Sequence, residues 1–240
     1  MEDLRLYDTL DSTNKESHRL LVSGQKLHGT AILALHQTEG RGQYGRIWFS
    51  TPGDHLAISI ILQPTQMPLE DLPLLSLKTS IAVVRSLLSL DQELNLRIKW
   101  PNDIYVGDLK LAGILIENSI SSSKVQHSII GIGMNVNESE FPSDLPNPVS
   151  LFMLTGRKYE IISLGEKLRE EVMKIMEEPF EKWKQEYDQL TYGLGKEKEF
   201  ELNGKNVIAS IIGVGRDGKL TLEINGERKS YFSHEIKWLK

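Results

Sequence analysis

Two lysines, an asparagine and an aspartate interrupt a stretch otherwise built for burial. They stand in Lys99-Trp100-Pro101-Asn102-Asp103 and, seven residues on, Lys110-Leu111-Ala112-Gly113. The residues around them (Leu96, Ile98, Ile104, Val106, Leu111, Ile114, Ile116) are apolar. Stripping water from an ammonium is costly, so a lysine held in an apolar sheet points to an anion that arrives to meet it. Upstream, Gly40-Arg41-Gly42-Gln43-Tyr44-Gly45-Arg46 places two arginines in a loop whose glycines let backbone N–H groups approach a ligand closely. Guanidinium forks grip carboxylates and phosphates bidentately. Gln37 and Trp48 flank that loop. Two more groups complete the set: Ser12-Thr13-Asn14, and Gly131-Ile132-Gly133-Met134-Asn135, which closes an apolar run with two glycines and a carboxamide.

Each group also has a plain structural reading. Lys110 could be an edge lysine lifting its ammonium to solvent. Asn102-Asp103 could be a turn after Pro101, and Ser12, Thr13 and Asn14 could be helix caps. Asn135 could cap a bulge. The run Gly40 to Gly45 matches G-x-G-x-x-G, but the dinucleotide reading fails on its surroundings. No helix opens there, Trp48 to Gly53 lead into a strand, and residues 57–65 hold no acid for a ribose.

The elements that would position these groups are legible from periodicity. A strand over 4–10 precedes a helix that starts near Thr13, with Thr13 and Glu16 spaced as a capping box, buries Leu20 and Leu21, and stops at Gly24. Residues 30–36 read as a buried strand. Residues 55–62 alternate Leu56, Ile58, Ile60 and Leu62, a strand with one face in the core. A helix over 73–90 is followed by strands near 95–100, 103–106, 109–119 and 125–134. With period two, Lys110 shares a face with Ala112, Ile114 and Ile116. Residues 137–150 form a long loop. A helix from about 161 carries Leu164, Leu168, Val172, Ile175 and Met176, and Pro179 breaks it before a second stripe at Phe180, Trp183, Tyr187 and Leu190. After Tyr192-Gly193-Leu194-Gly195, short strands turn at Asn203-Gly204, Asp217-Gly218 and Asn225-Gly226.

Composition narrows the function classes. A net charge of −5 over 240 residues argues against a general nucleic-acid binder. The absence of cysteine removes disulfides, thiolate metal sites and cysteine nucleophiles, and is compatible with a reducing cytoplasm. The six histidines lack ligand spacing, so no metal-ligating set is predicted. No run has the length of a signal-peptide core or a membrane span.

In order and spacing, these motifs resemble the biotin–protein ligases. That family carries an S-T-N helix start, a Q-T-x-G-R-G-R-x-G-R-x-W loop, K-W-P-N-D, K-L-A-G-I-L-x-E and a G-x-G-x-N strand end. Here they read Ser12-Thr13-Asn14, Gln37 to Trp48, KWPND at 99–103, KLAGILIE at 110–117 and GIGMN at 131–135. The resemblance implies an α+β fold. Residues 1–192 would form a catalytic core like that of class II aminoacyl-tRNA synthetases, a mixed sheet with helices, and residues 193–240 a small SH3-like β domain.

It also implies a two-step reaction. The carboxylate of biotin attacks the α-phosphate of ATP, giving biotinyl-adenylate and pyrophosphate, and a lysine of a biotin carboxyl carrier protein then attacks the mixed anhydride. By the same analogy Lys110, Arg41 and Arg46 are catalytic. Ser12, Thr13, Asn14, Gln37, Gly40, Arg41, Lys110 and Gly113 line the biotin pocket, and Arg46, Trp48, Asn102, Asp103 and Asn135 face the nucleotide, with Mg²⁺ shielding the phosphates. The arginine loop and residues 137–150 are expected to close over the adenylate.

Two departures matter. Gln43 stands where the family carries an arginine associated with holding the adenylate, so a weaker grip on that intermediate is expected. The core motifs begin by residue 4, so no sequence-specific DNA-binding unit is expected; with no run of membrane-span length, no membrane partner is expected either, and a homodimer is known in the family. Lipoate ligases have a different motif set, and octanoyl transferases rely on a cysteine. A non-catalytic biotin-binding protein is encouraged only by Gln43.

Overall fold

In a computed structural model of the chain, residues 3–63 and 67–239 are described. Seven strands make the central sheet: β1 (Leu4–Leu10), β2 (Ala31–Gln37), β3 (His55–Leu62), β4 (Leu96–Lys99), β5 (Asp103–Val106), β6 (Leu109–Ser121) and β7 (Lys124–Asn135), in the order β1-β2-β3-β7-β6-β5-β4. β1 and β2 are parallel; the other neighbours are antiparallel. The sheet is therefore mixed, as expected.

Helix α1 (Thr13–Val22) lies on one face, where Leu20 and Leu21 pack near Ile32 and Ile61. On the other face sit α2 (Leu72–Leu88) and α4 (Ile161–Met176). At Gly165 of α4 a Cβ would fall 2.5 Å from Leu33 Cδ1, so this glycine lets helix and sheet meet closely. With both faces covered, all eight residues of β3 are buried. The alternation of Leu56, Ile58, Ile60 and Leu62 identified only the face toward α4; α1 closes the other.

The predicted capping box at the start of α1 does not form. Ser12 occupies the N-cap without a side-chain bond, Thr13 Oγ1 lies 3.1 Å from Gln37 Oε1, and Glu16 pairs with Arg19. A short helix, α3 (Leu151–Thr155), follows the 137–150 segment. Pro179 is the N-cap of α5 (Phe180–Leu190), where its missing N–H costs no helical bond.

The last five strands, β8 (Glu197–Leu202), β9 (Lys205–Val214), β10 (Leu220–Ile224), β11 (Glu227–Tyr231) and β12 (Ile236–Trp238), form a second, antiparallel sheet in the order β11-β10-β9-β8-β12. Asn203-Gly204 and Asn225-Gly226 have positive φ at both positions, the backbone that tight hairpins need. This sheet packs onto the end of the central one. Trp100 Nε1 donates to Gly218 O (2.8 Å), Trp238 Nε1 to Trp100 O (3.0 Å), and Tyr192 N to Ile98 O (2.9 Å). Among the described residues, no helix is long and apolar enough to cross a membrane.

Candidate active site

The sheet and its loops surround a cavity of about 670 Å³. Of the residues singled out from sequence, Ser12, Thr13, Asn14, Gln37, Arg41, Arg46, Trp48, Asn102, Asp103, Lys110, Gly113 and Asn135 line it. Gly40 does not. It lies behind Trp48, where a Cβ would fall 2.7 Å from the Trp48 carbonyl oxygen.

Lys110 reaches the cavity because β6 is irregular. Ile104 pairs with Ala112 and Tyr105 with Lys110, so Leu111 is an extra residue opposite β5. Such a bulge reverses the side-chain alternation. Leu111, Ala112 and Ile114 join the hydrophobic core, while Lys110 lies with Gly113. The period-two reading, which grouped Lys110 with Ala112 and Ile114, is corrected here. A Cβ on Gly113 would sit 3.3 Å from Lys110 Nζ. The ammonium is 2.7 Å from Asp103 Oδ1, off the direction of a hydrogen bond, and 5.4 Å from the centroid of the Trp48 ring.

The opposite wall is a chain of polar side chains. Gln37 Oε1 accepts from Thr13 N (2.7 Å) and lies within reach of Thr13 Oγ1 (3.1 Å). Ser59 Oγ, fully buried on β3, is 2.7 Å from Thr13 Oγ1 and 2.6 Å from Asn14 Oδ1. Asn14 Nδ2 donates to Glu117 Oε2 at 2.6 Å. Gly131, next on the sheet, leaves room for Asn14: a Cβ there would be 2.4 Å from Asn14 Oδ1.

Trp48 folds from the arginine loop onto the sheet. Its indole lies over the paired glycines Gly113 and Gly133, where Cβ atoms would approach to 2.9 and 2.5 Å. Its Nε1 is buried without a hydrogen-bond partner among the described residues. The loop is narrow at its base, with Trp48 N donating to Gly40 O (3.0 Å) and Gly42 N to Arg46 O (2.7 Å). Arg41 and Arg46 are exposed at the rim. His55 Nδ1 meets Thr51 O at 2.7 Å, and burial pushes the pKa of this imidazole down, so it braces the loop as a neutral ring.

Two carboxamides hold the frame of the cavity. Asn102 Nδ2 donates to Ile114 O (2.8 Å), while Ile114 N donates to Asn102 O (2.9 Å). Asn135 Nδ2 donates to Lys110 O (3.3 Å) and Val149 O (3.1 Å). The 137–150 segment is laced to the same edge. Lys110 N donates to Asn147 O (2.7 Å) and Val149 N to Lys110 O (3.0 Å). Beyond Asp103, Lys99 Nζ lies 4.7, 5.6 and 5.1 Å from the ring centroids of Tyr105, Tyr192 and Trp238. Burial lowers its pKa, and the Asp103 charge opposes that.

Reading the sequence left out Ser59, Glu117 and the aromatic rings around Lys99. Ser59 had one signal, a lone hydroxyl in the apolar run Leu56 to Leu62. Glu117 and Lys99 stood inside recognised motifs without assigned roles. Among the described residues, no three His, Cys, Asp or Glu side chains gather to hold a metal ion.

Comparison with known proteins places this geometry. Residues 6–135 match the model of the biotin/lipoate A/B protein ligase family. The bifunctional ligase/repressor BirA of Bacillus subtilis is 30% identical over 98% of this chain and 74% of its own. The biotin–[acetyl-CoA-carboxylase] ligase of Paracoccus denitrificans is 34% identical over 76% of this chain and 72% of its own. Among solved structures, the biotin protein ligase of Aquifex aeolicus in complex with biotin and ATP superposes with a TM-score of 0.83. It is 26% identical, over 99% of this chain and 98% of that one.

Proposed function

Because this chain belongs to the biotin/lipoate A/B protein ligase family and is a biotin ligase like those relatives, we propose that it works in two steps at the cavity around Lys110. Biotin's carboxylate oxygen attacks the α-phosphorus of ATP and pyrophosphate leaves. The lysine amine of a biotin carboxyl carrier protein then attacks the acyl carbon, and AMP leaves as the amide forms.

The observation that carries this reading is the bulge that turns Lys110 into the cavity beside Gly113. Both substrates of the first step are anions, and bringing them together requires fixed positive charge. Lys110 supplies it from the floor; Arg41 and Arg46 supply it from the rim. Asp103 balances the ammonium before substrate arrives, and an incoming carboxylate or phosphate takes over that role. Ser12, Thr13, Asn14 and Gln37 form the polar wall for biotin. Asn102 and Asn135 act by holding the β6 backbone and the 137–150 segment in place on the nucleotide side. Mg²⁺ enters with ATP as part of the substrate and neutralises phosphate charge. The arginine loop, with Trp48, and the 137–150 segment exclude water from the mixed anhydride.

The test is transfer itself. With ATP, Mg²⁺, biotin and an isolated biotin carboxyl carrier domain, mass spectrometry should find one biotin on one lysine of the carrier. A carrier of unchanged mass, with a known ligase modifying it in parallel, would defeat the proposal.

A further inference from the structure

The polar wall beside Lys110 is built from groups that can each point either way. Carboxamides flip, and hydroxyls donate or accept. A wall that reads a ligand needs its donor and acceptor pattern fixed, and only the two ends of this chain of side chains are unambiguous. At one end the backbone N–H of Thr13 is a donor, which makes Gln37 Oε1 the acceptor (2.7 Å). At the other end Glu117 is an acceptor. Its Oε2 lies 2.6 Å from Asn14 Nδ2, which turns Asn14 Oδ1 toward Ser59 Oγ at 2.6 Å. Ser59 has one proton and donates it to Asn14 Oδ1, so in its 2.7 Å contact with Thr13 Oγ1 Ser59 accepts; the single Thr13 proton then has two acceptors in reach, Ser59 Oγ and Gln37 Oε1 (3.1 Å), and the shorter contact takes it.

We propose that Glu117 is a positioning residue for substrate recognition: it fixes which way the Asn14 carboxamide faces, and through Ser59 the direction in which the biotin-facing hydroxyl of Thr13 donates. This rests on the ligase reading above and adds a residue to it. The packing makes orientation the only freedom Asn14 has. Its Oδ1 sits over Gly131, where a Cβ would fall 2.4 Å away, and Gly131 is paired with Ser59 and Leu115 in the sheet. Asn14 is 7% exposed. Loss of the carboxylate therefore leaves the shape of the pocket intact and lets the amide turn over in place.

A flip of this kind changes what the wall accepts more than how fast the chemistry runs. With Nδ2 held toward Glu117, the Asn14 carboxamide keeps its second N–H as a donor for the carbonyl of biotin's cyclic urea; 2-iminobiotin presents a nitrogen donor in place of that carbonyl, and a flipped Asn14 would offer it an acceptor oxygen. The experiment is biotin-dependent pyrophosphate–ATP exchange with the full chain, comparing wild type, Glu117→Gln and Glu117→Asp, each checked for an unchanged melting curve. In Glu117→Gln the KM for biotin should rise about tenfold with kcat within about twofold, and the preference for biotin over 2-iminobiotin should shrink. Glu117→Asp, which keeps an acceptor-only end, should stay closer to wild type than Glu117→Gln. Unchanged KM and unchanged preference in a folded, active Glu117→Gln would overturn the inference while leaving the ligase reading standing. A folded wild type silent with biotin would instead remove the reading on which it rests.

Discussion

Lys110 and Asp103 face each other across the antiparallel pair β5 and β6, Nζ to Oδ1 at 2.7 Å, only because one extra residue in β6 turns Lys110 out of the core. Regular alternation would have aimed the ammonium into the layer occupied by Ala112 and Ile114. The bulge, the bare Gly113 beside it and the Asp103 counter-charge together make a site for an anion. The same backbone is held from the other side by Asn135 and by the strap at Asn147 and Val149.

Replacing that charge should therefore stop the first step and leave the fold. Lys110→Gln is expected to lower kcat/KM for biotin adenylation by about a hundredfold or more, the scale of a lost electrostatic contact to developing charge. Pyrophosphate exchange at saturating ATP reads it directly, with a melting curve as the control. Activity within a few-fold of wild type would deny Lys110 its role.

Trp48 should be equally sensitive to its glycine floor. Gly133→Ala places a methyl group 2.5 Å from the present indole position, so the ring must leave the sheet. The variant is expected to bind biotin at least about tenfold more weakly by calorimetry, because overpacking a tight contact displaces the group it touches. Retained affinity would show that Trp48 closes the cavity without shaping it.

Gln43 sits in the loop between the two arginines, beside Tyr44, whose hydroxyl is 3.4 Å from Ser233 Oγ on the far rim. Gln43→Arg adds a guanidinium at the mouth and should slow dissociation of biotinyl-adenylate several-fold in a stopped-flow or filter-binding assay. An unchanged dissociation rate would remove Gln43 from the account of how the intermediate is kept.

Glu138 gives the strap a pH signature. Its side chain is buried, one oxygen accepts from Val136 N and the other has no partner among the described residues; burial pushes its pKa up from the ordinary carboxylate range to about 7. Because the folded state holds this proton more tightly than the unfolded chain, its contribution to stability is fully present below about pH 4.5. It is lost as pH rises through about 7. Glu138→Gln should remove that dependence, gaining on the order of 2–3 kcal/mol relative to wild type between pH 5 and pH 8 in urea unfolding. Parallel pH profiles for the two proteins would contradict it. The lowered pKa of His55 works in the opposite sense and is common to both proteins.

The sequence was legible where a single element decided the outcome. The strands at Leu4–Leu10 and Ala31–Gln37, the helix from Thr13 and the break at Pro179 follow from local spacing, and the structure has them. It misled where two elements compete for one residue. Thr13 reads as part of a capping box, yet Gln37 engages its backbone and hydroxyl from a neighbouring strand. Lys110 reads as aligned with Ala112, and the strand partner that creates the bulge is invisible to periodicity. Ser59 and Glu117 lie far from Asn14 in sequence, so only the folded sheet brings the polar wall together.

The central claim is that this chain adenylates biotin in the cavity around Lys110. Exchange of labelled pyrophosphate into ATP with Mg²⁺, run in parallel with biotin, lipoate and octanoate, addresses it most directly. Exchange that depends on biotin alone, and that Lys110→Gln abolishes, is the predicted result. Exchange with lipoate instead, or none with any of the three in a folded sample, would contradict it.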